Sequence, residues 1–134
     1  MNTKVLTFLV DDDAAYLYGT RKLLEYHKLC DTVLTFGNGR QVADFMKEHL
    51  YDKERTPDYI LLDLEMPVMD GWQFLEEFLQ MKPLLGKEVK VYIVSSSIDD
   101  RDKDKAKSIS VITDYLVKPL NSAGLREIFK PAEQ

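Results

Sequence analysis

The sequence has little that would anchor it, staple it or charge it for an unusual environment. No run is long and apolar enough to span a membrane. A single cysteine, Cys30, rules out an internal disulfide and fits a reducing compartment. Its place before an apolar run makes it a small buried or half-buried side chain. The opening Met1-Asn2-Thr3-Lys4 moves straight into strand-like sequence without a secretory pattern, so a cytoplasmic protein is expected. Basic residues are not in excess. The net charge of −5 argues against a nucleic-acid-binding surface, because phosphate contact needs clustered Lys and Arg. No internal repeat, low-complexity tract or interdomain linker is present. What remains is 134 residues, 45% hydrophobic and 31% charged, which suits one compact domain able to fold without staples.

Short apolar runs alternate with longer amphipathic stretches. Val5 to Val10 reads as a strand that stops at Asp11-Asp12-Asp13. Ala14 to Leu29 has helical spacing, with Tyr16, Leu17, Leu23 and Leu24 on an inner face and Asp13 placed to cap it. Thr32 to Phe36 is β-branched and aromatic, hence a second strand. Gly37-Asn38-Gly39 signals a turn before an amphipathic helix through Val42, Phe45, Met46 and Leu50. Tyr59 to Leu62 is a continuous apolar run of the kind buried on both faces, and it ends at Asp63. Asp70-Gly71 opens a helix to about Met81. Val89 to Val94 makes a fourth strand, ending at Ser95-Ser96-Ser97. A strongly charged helix runs from Asp99 to about Ser108. Ile112 to Val117 makes a fifth strand ending at Lys118-Pro119, and Asn121 or Ser122 caps a last helix through Phe129. Strands alternating with helices in this way imply a parallel sheet covered on both faces.

In open α/β sheets the site lies beyond the carboxyl ends of the strands. Those ends are Asp11 and Asp12, Asp63, Ser95 and Lys118. Each one alone is an ordinary turn, cap or surface residue. Together they place three carboxylates, a hydroxyl and an ammonium at one edge. Clustered carboxylates raise one another's pKa unless a cation offsets them. A hard divalent ion is the natural offset, and Mg²⁺ suits a site with few carboxylates. A carboxylate, a metal and a lysine can hold a phosphoryl group, and a carboxylate can itself be the nucleophile.

Four motifs carry a family resemblance. They are Leu9-Val10-Asp11-Asp12-Asp13, the run Leu62-Asp63-Leu64-Glu65-Met66-Pro67-Val68-Met69-Asp70-Gly71, then Val94-Ser95-Ser96, and Tyr115-Leu116-Val117-Lys118-Pro119. In order and spacing the chain resembles the receiver domain of two-component response regulators, from about Lys4 to Phe129. The resemblance implies a flavodoxin-like, doubly wound (βα)5 fold with a five-stranded parallel sheet in order 2-1-3-4-5. It implies one receiver domain over residues 4–130, with a short polar tail at 131–134.

The resemblance also assigns roles. Asp63 is the phosphoacceptor. Asp12 and Asp63 give carboxylates to Mg²⁺, Asp11 contributes directly or through water, and Glu65 offers its backbone carbonyl. Lys118 pairs with phosphoryl oxygens. Ser95 is the hydroxyl that moves towards the phosphoryl group, and Tyr115 is the aromatic that turns inward with it. Glu65 and Ser97 occupy positions that tune hydrolysis, and the small Ser96 leaves access for water and small donors. The Lys118–Pro119 peptide bond is expected to be cis. Tyr16 stands where the family often has a smaller aliphatic residue and reads as a packing residue first and a partner contact second. The implied partners are a histidine kinase or histidine phosphotransfer protein and a downstream protein of unknown identity. Nucleic acid and membrane are not expected partners, and the expected state is a monomer or a weak phosphorylation-dependent dimer. The implied chemistry is self-phosphorylation and self-dephosphorylation, not enzymatic turnover of other substrates. Two other functions compete: a phosphorylation-independent interaction module on the same fold, and a Mg²⁺-dependent phosphatase. The first conflicts with an intact residue set, the second with the lack of a cap domain and of a second acid/base aspartate.

Overall fold

The computed structural model describes residues 4–130. Five strands alternate with five α-helices: β1 (Leu6–Val10), α1 (Ala14–Tyr26), β2 (Thr32–Phe36), α2 (Gly39–Glu48), β3 (Tyr59–Leu62), α3 (Gly71–Met81), β4 (Lys90–Ser95), α4 (Asp100–Lys107), β5 (Ile112–Val117) and α5 (Ser122–Ile128). All strand pairs are parallel, in the order β2-β1-β3-β4-β5. This is the flavodoxin-like arrangement expected from the motifs. No helix among the described residues is long and apolar enough to cross a membrane.

Alternation along the strands sorts the side chains into two cores. Phe8, Val10, Ile60, Leu62, Val91 and Ile93 pack with Val42 and Met46 of α2 and Phe74 and Phe78 of α3. Leu9, Leu61 and Val94 take the opposite face, with Leu24 of α1 and Leu125 and Ile128 of α5. Tyr16, Leu17 and Leu23 join that second core, so the inner face of α1 lies where its spacing put it. Cys30 is half-buried, and burial pushes its thiol pKa up.

Every α-helix starts on an Asp or Asn whose side chain accepts a backbone N–H of the first turn: Asp13, Asn38, Asp70, Asp99 and Asn121. Asp70 and Gln73 complete a capping box. The Gly37-Asn38-Gly39 turn therefore includes the cap of α2. Ser122 does not cap α5; its hydroxyl meets the His27 ring at 3.0 Å and ties α5 to the end of α1.

One expected boundary moves. The spacing predicts a first helix through Leu29, but α1 stops at Tyr26. Lys28 takes φ 54°, the Lys28 N–H donates to the Glu25 carbonyl, and the Leu29 N–H donates to the Leu24 carbonyl. This is a left-handed C-terminal cap of the Schellman kind, built without the glycine that usually announces it.

Candidate functional site

Sheet order places the crevice between β1 and β3, where successive connections depart in opposite directions. Val10 and Leu62 are Cα partners at the ends of those strands. The next residues, Asp11 and Asp63, therefore sit side by side, and both are buried. They share the face of Leu9 and Leu61, the side covered by α1 and α5. The Asp63 N–H donates to the Val10 carbonyl at 2.9 Å and fixes this pairing.

Lys118 follows β5, and its N–H donates to the Ser95 carbonyl at 2.9 Å. Its ammonium reaches across to the same face. Nζ lies 2.5 Å from Asp11 Oδ2 and 3.7 Å from Asp63 Oδ1. The other Asp11 oxygen accepts the Asp13 N–H at 2.9 Å. Asp12 is exposed at the mouth, and Asp13 is turned to its capping role. The peptide bond between Lys118 and Pro119 is cis.

Carboxylate oxygens of Asp11, Asp12 and Asp63 all lie within 4.8 Å of one another. Three negative charges face one ammonium. Burial, followed by the charge of Asp11, pushes the Asp63 pKa up to about 6, while Lys118 and the Leu64 N–H pull the other way. Burial works against the charge of Lys118, but the hydrogen bond and charge of Asp11, helped by Asp63, hold its pKa above the ordinary lysine value. An oxygen-only cluster with uncompensated negative charge fits a small hard cation such as Mg²⁺. The Glu65 side chain is exposed and is not one of the clustered carboxylates.

Ser95 is buried at the end of β4 and lies on the opposite face, in phase with Ile93 and Val91. Its hydroxyl accepts the Ser97 N–H at 3.1 Å. Ser96 is exposed. Ser97 is the junction of this loop. Its carbonyl accepts the Tyr115 hydroxyl at 2.9 Å, and its own hydroxyl donates to Asp102 in α4 at 2.7 Å. Tyr115 packs against the larger core, on the face of Ser95.

The structure gives three residues around the site contacts that pattern alone did not show. Gly71 starts α3 directly against the Asp63 backbone: a Cβ there would lie 2.4 Å from the Asp63 carbonyl oxygen. Val68 takes φ 70° while the Met69 N–H donates to the Pro67 carbonyl, a tight strained turn beside the site. Tyr16 lays its ring over Lys118, with Nζ 4.4 Å from the ring centroid. In the sequence Tyr16 reads as packing or partner contact; its approach to Lys118 depends on how the fold brings the start of α1 to the end of β5.

Known proteins share this fold. The model of the response regulator receiver domain matches residues 7–130. A two-component response regulator of Oryza sativa subsp. japonica is 30% identical over 123 residues, covering 91% of this chain and 19% of its own length. The chain thus spans about a fifth of that relative. A response regulator receiver protein from Dyadobacter fermentans superposes with a TM-score of 0.78 at 30% identity, covering 94% of this chain and 95% of its own. A two-component response regulator from Cytophaga hutchinsonii gives 0.84 at 24% identity and 96% coverage of both, which shows the shared fold. With its residues matched from one end of the sheet to the other, this chain belongs to the response regulator receiver domain family.

Proposed function

We propose that Asp63 is the phosphoryl acceptor of a Mg²⁺-assisted switch. The observation that carries this reading is the convergence of Asp11, Asp63 and Lys118 on one face at the sheet's switch point. Asp11, Asp12, Asp63 and the carbonyl of Glu65 are the groups that would hold the ion. When bound, Mg²⁺ would neutralise clustered carboxylates and phosphoryl oxygens.

The chain's own residues supply the rest. A carboxylate oxygen of Asp63 attacks phosphorus of a phosphohistidine on a kinase or phosphotransfer protein. The new O–P bond forms, the P–N bond breaks, and its electron pair returns to the imidazole nitrogen. Lys118 exchanges part of its contact with Asp11 for phosphoryl oxygens. Water later attacks phosphorus, the Asp63 O–P bond breaks with its electron pair returning to the carboxylate, and inorganic phosphate leaves. Ser96 leaves the mouth open to small donors and water, and Glu65 and Ser97 tune the lifetime of the modified state.

Phosphorylation adds roughly two negative charges near pH 7. Only in that state does the Ser95 hydroxyl gain a phosphoryl oxygen as partner, and an equilibrium shifts only through such differential contacts. If it turns away from Ser97, the Ser97 N–H loses its acceptor. The same residue holds Tyr115 and α4, so both are biased together, and the surface of α4 and β5 changes for a downstream protein.

The test uses acetyl phosphate and Mg²⁺ on the wild-type chain, read by intact mass, with beryllofluoride binding read by NMR. One phosphoryl group should add to wild type and none to Asp63→Asn. Equal response of the two proteins would sink the proposal. Absence of any response in wild type would favour an interaction module that works without phosphorylation.

A further inference from the structure

We propose that Tyr16 is a positioning residue for the phosphoryl site, its ring seating the Lys118 ammonium against Asp11 and Asp63 and closing one flank to water. The inference rests on the function proposed above and names a residue which that function does not use.

The geometry is specific. Tyr16 is the third residue of α1, and its N–H is pinned by the capping Asp13 carboxylate at 3.1 Å. Its ring is half-buried against the α1–α5 core. From there it covers Lys118 Nζ at 4.4 Å, while Asp11 and Asp63 hold the same nitrogen at 2.5 and 3.7 Å. The Lys118 side chain is left 18% exposed.

A ring face is a particular kind of partner. It attracts the ammonium through the π-system without accepting one of its strong N–H donors. A carboxylate in that place would neutralise the charge, and water would compete for the donors. With Tyr16 there, the charge is held in a place of lowered water access while a donor stays free for a phosphoryl oxygen. Electrostatic attraction across such a site exceeds that in bulk water. An aliphatic side chain would fill the space but offer the ammonium no attraction on that flank.

Beryllofluoride affinity in Mg²⁺ and the half-life of acetyl-phosphate-loaded protein are measured for wild type, Tyr16→Phe, Tyr16→Leu and Tyr16→Met. Melting curves identify properly folded variants, and two aliphatic replacements guard against one that fails to fold. Tyr16→Phe should match wild type. The aliphatic variants should bind beryllofluoride about three- to tenfold more weakly and lose the phosphoryl group faster, in line with the strength of a partly desolvated cation–π contact. NMR of the Lys118 side chain checks the contact itself, since its methylene protons should keep their ring-current shift in Tyr16→Phe. The return of affinity in Tyr16→Phe is the signature that a purely space-filling role would not give. Aliphatic variants that bind and hydrolyse like wild type overturn the inference, as does a Tyr16→Phe as weak as Tyr16→Leu. If wild type itself binds no beryllofluoride, the function reading fails first and this inference falls with it, a result distinct from ring-independent binding.

Discussion

Gly71 shows how a single residue without a side chain holds the site in place. It does not take a positive φ, so backbone freedom is not what it supplies. It supplies room. A Cβ would meet the Asp63 carbonyl oxygen at 2.4 Å and Leu64 Cα at 3.0 Å, and backbone atoms cannot rotate away. The start of α3 can therefore lie against the end of β3, and the Gly71 N–H reaches the Leu64 carbonyl at 3.0 Å. Gly19 is the opposite case. It sits inside α1, and a Cβ there meets nothing within 4 Å. Gly71→Ala should lower stability by about 1–3 kcal/mol through backbone displacement. Gly19→Ala should raise it by about 0.5–1 kcal/mol, because alanine orders more cheaply in a helix interior. Urea titrations read both, as midpoint shifts of opposite sign at similar slope. The Asp70-Gly71 pair was legible in the sequence as a helix start. The reason for glycine was not, since it depends on a backbone approach between segments eight residues apart.

At the scale of elements, α4 is the lightly held part of the structure. Ala106 is its one buried residue, and its turns carry Asp100 and Asp102 first and Lys105 and Lys107 last, a charge order that suits the helix dipole. Ties from neighbouring elements do much of the holding. The Ser97 hydroxyl donates to Asp102 at 2.7 Å and accepts the Asp99 N–H at 3.2 Å. The Lys105 ammonium sits 4.5 Å from the Trp72 ring centroid of α3. Ser97→Ala removes both hydroxyl bonds and keeps the backbone bonds to Ser95 and Tyr115. Amide exchange across residues 100–107 should then quicken about fivefold, the equivalent of roughly 1 kcal/mol for lost capping contacts, while the strands keep their protection. Exchange unchanged in α4 would mean that Trp72 and Ala106 suffice. The strongly charged run from Asp99 onward was legible as a helix. Its anchors were not legible, because Ser97–Asp102 and Trp72–Lys105 depend on how loop and helix pack. The end of α1 was misread for a related reason: Lys28 takes a left-handed conformation with no glycine to signal it.

Across the whole molecule, continuous apolar strands force the sheet into the middle, and alternation then assigns each strand end to a face. Asp11, Asp63 and Lys118 emerge on the α1–α5 side, whereas Ser95 and Tyr115 belong to the side of α2 and α3. The proposed chemistry and its proposed readout would thus be divided by the sheet and joined at its edge. Strand-end residues and their order were visible in the sequence, as was the convergence of charge. The split between faces was not, because a register shift beside Val91 and Tyr92 sets the phase of β5. This arrangement places a cost on the metal-free fold. Asp63, raised to about 6 by burial and Asp11, has an unfolded value near ~3.9. Between those values the folded chain holds a proton that the unfolded chain has released, so this group's contribution to stability falls as pH rises from about 4 to 6 and stays low above. Asp63→Asn removes the titration. In chelator-treated protein the variant should melt above wild type at pH 7.5, by an amount of order 2–3 kcal/mol, and the gap should close towards pH 4.5. Millimolar Mg²⁺ should reverse the order at pH 7.5, since binding to the folded state alone stabilises wild type by mass action while the variant has lost a ligand. Calorimetric melts of both proteins at both pH values, with and without Mg²⁺, decide it. A wild type that outlasts Asp63→Asn in chelator at pH 7.5 would mean that Lys118 alone compensates the buried carboxylates.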